Sequence, residues 1–188
     1  MIDGLLIIVF TVLGILAFIL HLLFLNTNFY HKRWNVVIMN TVESEEMNMK
    51  ILVTGGTGYI GSHTCVELLN AGYEVVIIDN LYNSKLEVVD KIKQLTNKEF
   101  AFYENDVCDE EALRFIFTDH KIDAVIHFAG YKAVGESVAK PLMYYQNNLD
   151  STIVLCKVMN EFNCKRIVFS SSATVYGDPA SLPIKEDF

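Results

Sequence analysis

The sequence predicts a doubly wound parallel α/β sheet, and three observations lead to that fold class. From Met49 onward, short runs rich in Val and Ile alternate with longer segments of helical periodicity. The runs are nearly continuous in apolar residues, as expected for parallel strands covered by crossover helices on both faces. A glycine cluster follows the first run directly, where such a sheet carries its ligand loop.

The elements follow in order. "KILVT" (Lys50–Thr54) is the first strand, ended by glycines. Helical periodicity covers Tyr59–Ala71, with Gly72 placed as a C-terminal cap. "EVVIID" (Glu74–Asp79) is a second β-branched run, and Lys85–Thr96 reads as the next helix. "FAFYE" (Phe100–Glu104) is the third strand, Glu110–His120 a helix, and "DAVIHFA" (Asp123–Ala129) the fourth strand. A long helix starts near Pro141, a residue suited to a first turn, and reaches about Phe162. Along it Leu142, Tyr145, Leu149, Ile153 and Cys156 recur at spacings of three and four. "RIVFS" (Arg166–Ser170) is the fifth strand, and numbering the strands along the chain gives an expected order of 3-2-1-4-5.

Composition narrows the function. The chain has 188 residues and is 52% apolar, and much of the excess lies in its first 25 residues. Without Met1–Asn48 the rest carries 19 acidic and 13 basic residues and no basic patch, so nucleic acid is not an expected partner. Cys65, Cys108, Cys156 and Cys164 form no Cys-x-x-Cys pair and have no histidine at ligand spacing. Neither a metal site nor a disulfide framework is expected, and reduced, mostly buried thiols in a cytosolic domain are the plain reading.

"GLLIIVFTVLGILAFILHLLFL" (Gly4–Leu25) holds 22 residues without a formal charge. As a helix it would be about 33 Å long, enough to cross a hydrocarbon core. It lacks the basic start and cleavage site of a signal peptide. With "HKR" (His31–Arg33) following, the positive-inside rule places its C-terminal side in the cytosol. Two readings stay open: a single transmembrane helix over residues 1–25, or an upstream extension of a domain that starts naturally at "MNMKILVTGG". In either case residues 26–48 are a linker and 49–188 the domain.

"TGGTGYIGSH" (Thr54–His63) joins the first strand to the first helix. Gly55, Gly58 and Gly61 fall at a spacing that permits a tight turn, backbone approach to a pyrophosphate, and close helix–strand packing. The helix N-terminus then offers free N–H groups to an anion. Asp79 ends the next strand, where a ribose-binding acid belongs, and its charge disfavours a 2′-phosphate. The expected fold is therefore Rossmann-type and the expected cofactor NAD rather than NADP.

With that loop, "DNLYNS" (Asp79–Ser84), "HFAGYKAVGES" (His127–Ser137), "YYQNN" (Tyr144–Asn148) and "FSSSATVYGD" (Phe169–Asp178), the chain closely resembles the UDP-glucose 4-epimerases. These belong to the extended short-chain dehydrogenases/reductases. The resemblance covers about Met49–Phe188, the N-terminal NAD-binding part. It implies that Gly55, Gly58, Tyr59 and Ile60 hold the pyrophosphate. Asp79, Asn80, Asn83 and Ser84 would surround the adenosine ribose, with Asp106 and Val107 at the adenine. Phe128, Ala129 and Gly130 would line the cofactor at the end of the fourth strand, with Lys132 reaching it and Asn147 beside it on the long helix. Ser170 is counted with the cofactor set and Ser172 matches the catalytic hydroxyl near the sugar 4-OH.

Read without the resemblance, several of these residues have plainer roles. Asp106 suits a helix cap, Lys132 a solvated loop charge, and Asn147 an exposed helix position. His127, in an apolar strand, suits a satisfied core histidine. Ser170 and Ser171 suit backbone satisfaction at the strand end.

The resemblance implies interconversion of UDP-galactose and UDP-glucose through a 4-keto sugar with bound NAD, and a homodimer in the complete enzyme. The superfamily's base is a tyrosine four residues before a lysine, whose charge lowers the phenol pKa. None of the nine tyrosines here has a lysine four positions on. The expectation is an N-terminal fragment, inactive alone, whose base and substrate domain would come after Phe188. The competing readings are a membrane-tethered NAD-binding module without catalysis and another sugar-nucleotide epimerase or dehydratase.

Overall fold

The computed structural model describes residues 7–10, 49–178, 181, 183 and 184. The chain divides into two units, Met1–Ile7 with Asn48–Val168, and Ile8–Met47 with Phe169–Phe188.

The described strands are β1 (Ile7–Phe10), β2 (Lys50–Thr54), β3 (Glu74–Asp79), β4 (Ala101–Glu104), β5 (Ala124–His127) and β6 (Ile167–Ser170). The helices are α1 (Tyr59–Asn70), α2 (Glu87–Thr96), α3 (Glu110–Asp119), α4 (Val134–Ala139) and α5 (Pro141–Glu161). The sheet order is β1-β6-β5-β2-β3-β4, which contains the expected 3-2-1-4-5 arrangement. β2 pairs in parallel with both β3 and β5, in register from Ile51 opposite Val75 and Ala124, and β3 pairs in parallel with β4. The Val125 N–H donates to the Arg166 carbonyl at the start of β6.

Each central strand sends successive side chains to opposite faces, and both faces are covered. Leu52, Val76, Ile78 and Val125 meet Leu113, Ile116 and Phe117 of α3 and Leu155, Val158 and Met159 of α5. Ile51, Val53, Val75 and Ile77 meet Cys65, Leu68 and Leu69 of α1 and Ile92 of α2. This two-sided burial explains why the strands lack polar alternation. Helix α1 ends as expected, with Gly72 at φ +97°. Its N–H bonds the Leu69 carbonyl, and the Tyr73 N–H bonds the Leu68 carbonyl, closing a Schellman cap.

Three expectations change. Ile7–Phe10, inside the span expected to be a transmembrane helix, is a strand, in keeping with the β preference of Ile-Ile-Val-Phe. The remainder of that span and the 26–48 linker lie outside the described residues. Among the described residues, no helix is long and apolar enough to cross a membrane. On α5 the stripe that signalled a helix does not face the core: Leu142, Tyr145, Leu149 and Ile153 are exposed. The inner face is Tyr144, Ser151, Leu155, Val158 and Met159. Of the cysteines, Cys65 and Cys164 are buried, Cys108 is partly buried and Cys156 is exposed; none is paired.

Candidate functional site

The site lies in the first unit at the carboxyl ends of β3, β2 and β5, where the loop Gly55–Gly58 leads into α1. Gly55 has φ +68°, and a Cβ there would sit 2.8 Å from the Ala129 nitrogen. A Cβ on Gly61 would run into the Gly55 carbonyl oxygen, so α1 starts against the loop backbone itself. The Gly55 N–H donates to the Ile78 carbonyl and the Gly58 N–H to the Gly55 carbonyl. Helix α1 begins at Tyr59 with no side-chain cap on Gly58 and no acid in its first turn. Its first N–H groups thus have no intrahelical acceptor, and an anion suits them. Beneath the loop, burial pushes the Cys65 thiol pKa up, and the thiol donates to the Gly56 carbonyl at 3.9 Å.

On the β3 side, Asp79 is 8% exposed. Its Oδ2 accepts the Thr57 N–H at 3.1 Å, and its Oδ1 accepts the Leu81 N–H at 2.9 Å and the Ser84 hydroxyl at 3.2 Å. The Thr57 hydroxyl then donates to Ser84 Oγ at 2.7 Å. Oδ2 keeps acceptor capacity, so Asp79 can hold the loop and still take a ligand hydroxyl. Asn80 Nδ2 donates to Asp106 Oδ2 at 2.8 Å, and Asp106 Oδ1 accepts the Cys108 N–H at 2.8 Å. Asp106 is therefore not the helix cap; Asp109 caps α3, accepting the N–H groups of Glu111 and Ala112. Val107 is buried in the core. Asn83 is exposed and, with Thr57, Gly58, Tyr59, Ser84 and Lys85, lines a cleft of about 510 Å³.

On the β5 side the hydrogen bonds form a directional chain. Thr152 Oγ1 donates to the Asn148 carbonyl at 3.0 Å, so it accepts from His127 Nε2 at 3.2 Å. His127 Nδ1 is then the acceptor of the Thr54 hydroxyl at 2.7 Å, and Thr54 Oγ1 accepts the Ala129 N–H at 3.2 Å. This network assigns the Nε2–H tautomer. Burial, with the Lys132 charge adding, lowers the His127 pKa to about 4 and keeps the ring neutral. His127 is the satisfied core histidine expected from the sequence.

The loop beyond β5 is held by Asn148. Its Oδ1 accepts the Tyr131 N–H at 2.8 Å and its Nδ2 donates to the Tyr131 carbonyl at 3.1 Å. Asn147 donates to Asn148 Oδ1 at 3.0 Å, and Gly130 lies against the same oxygen. Phe128 and Ala129 lie against Gly55. Lys132 is exposed and reaches these clusters through its charge on His127; partial desolvation lowers its ammonium pKa.

The serines belong to the second unit. Ser170 is buried at the end of β6, and Ser171 is half-buried. Ser172 is exposed, and its carbonyl accepts the Val175 N–H at 3.2 Å at the 3₁₀ turn Ala173–Tyr176.

Sequence reasoning missed Thr54, Thr57, Asn148 and Thr152. The available signal was small: a hydroxyl residue ending an apolar strand, and a second asparagine beside Asn147.

The sequence matches the family model described as "NAD dependent epimerase/dehydratase family" over residues 51–188. It is 61% identical over 140 residues to the UDP-glucose 4-epimerase of Bacillus subtilis, covering 74% of this chain and 41% of that protein. A UDP-glucose 4-epimerase sequence from Klebsiella pneumoniae is 57% identical over 138 residues, covering 73% of this chain and 99% of that sequence. Among solved structures, UDP-glucose 4-epimerase from Bifidobacterium longum in complex with NAD+ and UDP superposes with a TM-score of 0.71 at 55% identity. That match covers 74% of this chain and 42% of that one. The chain thus spans about two fifths of the length of the B. subtilis relative.

Proposed function

The chain belongs to the NAD-dependent epimerase/dehydratase family, and from that premise we propose that it is the NAD-binding portion of a UDP-glucose 4-epimerase. One observation carries the reading: an uncapped helix start pressed against a glycine cradle, beside the buried carboxylate of Asp79. A Cβ on Gly55 or Gly61 would strike the backbone of Ala129 or of Gly55, so these glycines let the loop pack directly against the helix start, whose free N–H groups suit a pyrophosphate. Gly55, Gly58, Tyr59, Ile60 and Gly61 would hold the diphosphate. Asp79, with Asn80, Asn83 and Ser84 around it, would bond the adenosine ribose, and Asp106 and Val107 would border the adenine. Phe128–Gly130, Lys132, Asn147 and Ser170 would border the other half of the cofactor. Ser172 would bond the sugar near its 4-OH.

When bound there, NAD would supply reversible hydride transfer at C4 of a UDP-hexose, the chemistry that interconverts UDP-galactose and UDP-glucose. The chain's own residues position that group. Asp79 selects a free 2′-hydroxyl by accepting its hydrogen, and its charge repels a 2′-phosphate. The purified 188-residue chain, titrated calorimetrically, is expected to bind NAD+ at least about tenfold more tightly than NADP+. Tighter NADP+ binding, or none of either, would overturn the reading.

A second reading, cofactor binding without epimerisation, is favoured by one observation. No tyrosine in the 188 residues stands four positions before a lysine. Epimerisation of UDP-galactose by this chain alone would sink that reading.

The exposed Leu142, Tyr145, Leu149 and Ile153 on α5 support a homodimer, measurable by sedimentation; a monomer at high concentration would contradict it. Four unpaired cysteines support a cytosolic location, which fractionation of cells would test.

A further inference from the structure

In the sheet, β3 and β5 flank β2, and the glycine loop leaves the end of β2 between them. Strands two positions apart lie about 9–10 Å from each other. Yet a side chain from the loop after β3 meets one from the loop after β5. The rings of Tyr82 and Tyr131 form a tilted pair, with centroids 4.6 Å apart and planes at 38°, a separation within the range of favourable aromatic contacts. That contact must bridge the end of β2.

The two tyrosines are held differently. Tyr131 is fixed: its backbone is clamped by Asn148, and its ring rests on Tyr144 at 5.3 Å. Tyr144 is buried, and its hydroxyl donates to Glu136 at 2.9 Å. Tyr82 is 54% exposed and follows Leu81, whose φ of +56° is unusual for a branched side chain. Two side-chain bonds hold that turn, Leu81 N–H to Asp79 and Tyr82 N–H to Asn80. The strained turn aims the Tyr82 ring toward Tyr131.

We propose that Tyr82 and Tyr131 form an aromatic strap across the cleft that retains the dinucleotide lying along the glycine loop, with Tyr131 the post and Tyr82 the moving arm. This rests on the NAD reading above. The strap opens by parting one ring pair and closes over bound cofactor, so it sets the rate of cofactor exchange. Both tyrosines are positioning residues, acting through ring contact.

The test is the dissociation rate of radiolabelled NAD+ from the purified chain, followed by rapid filtration after mixing with excess unlabelled NAD+. Tyr82→Ala is expected to release NAD+ about tenfold faster, the scale of one ring pair, while the melting temperature of the cofactor-free chain stays within about 2 °C. Tyr82→Phe keeps the ring and should release NAD+ at the parent rate. An unchanged rate in Tyr82→Ala overturns the strap while leaving the cofactor reading intact. A faster rate that Phe does not restore also overturns it, because the hydroxyl rather than the ring would then be responsible. Failure of the parent chain to bind NAD+ overturns both.

Discussion

The two sides of the cleft are built by different means. The β3 side is organised around two carboxylates, Asp79 and Asp106, which collect N–H and hydroxyl donors from residues at most 26 positions away. The β5 side is organised around a neutral relay, Thr54 to His127 to Thr152, and around one amide, Asn148, that holds a loop from a helix. The difference shows how one fold provides an anionic end that selects among ligands and an uncharged end that sets backbone geometry. The glycine loop belongs to both.

That comparison breaks most completely at the shared loop. Gly61→Ala should destabilise the chain by about 3 kcal/mol, because its Cβ meets the Gly55 carbonyl backbone rather than a movable side chain. Gly135→Ala, whose Cβ meets nothing, should leave stability nearly unchanged, and urea titration of both variants measures the contrast.

Acid tests the β5 side. His127 has a folded pKa of about 4, below its ordinary value near 6.5, so the unfolded chain binds the proton first as pH falls. The stability is fully present above about pH 6.5 and is lost progressively toward pH 4. From pH 7.5 to pH 5 this one group should remove about 2 kcal/mol. His127→Gln should lack that component, and an identical acid loss in both proteins would show that His127 does not cause it.

The smallest effect should be local. Asn148→Ala removes the two bonds to Tyr131 and should cost about 1 kcal/mol globally. Amide exchange at Tyr131 should accelerate while the Thr57 and Leu81 amides, held by Asp79, keep their protection. Equal acceleration on both sides would erase the distinction between them.

Much of this was legible in the sequence, for physical reasons. Strands buried on both faces cannot alternate, so their apolar runs and the glycines that end them announced the sheet and its loop. Asp79 was legible because it closes such a run. Helix α4 was not: all six of its residues are exposed or half-buried, and "VGESVA" leaves no apolar face to read. On α5 the periodicity gave the helix but not its inner face, since the exposed Leu142, Tyr145, Leu149 and Ile153 repeat as regularly as the inner residues. The resemblance pointed to Asn147, and the neighbouring Asn148 holds the loop. Adjacent identical residues on a helix differ only in direction, which sequence does not display.

The reach of the Asn148 clamp bears on the order in which the molecule becomes native. Every partner on the β3 side is present once the first 109 residues have emerged. The Ala129–Tyr131 loop has no such independence: Thr54 bonds across 73 residues to His127, and Tyr131 waits for a helix that begins ten residues later. Distant pairings pay their ordering entropy late. We therefore expect the cleft to mature from one end, with the Thr57 and Leu81 amides protected before those of Ala129 and Tyr131 in pulsed hydrogen exchange during refolding. Simultaneous protection would mean that the cleft closes in a single cooperative event.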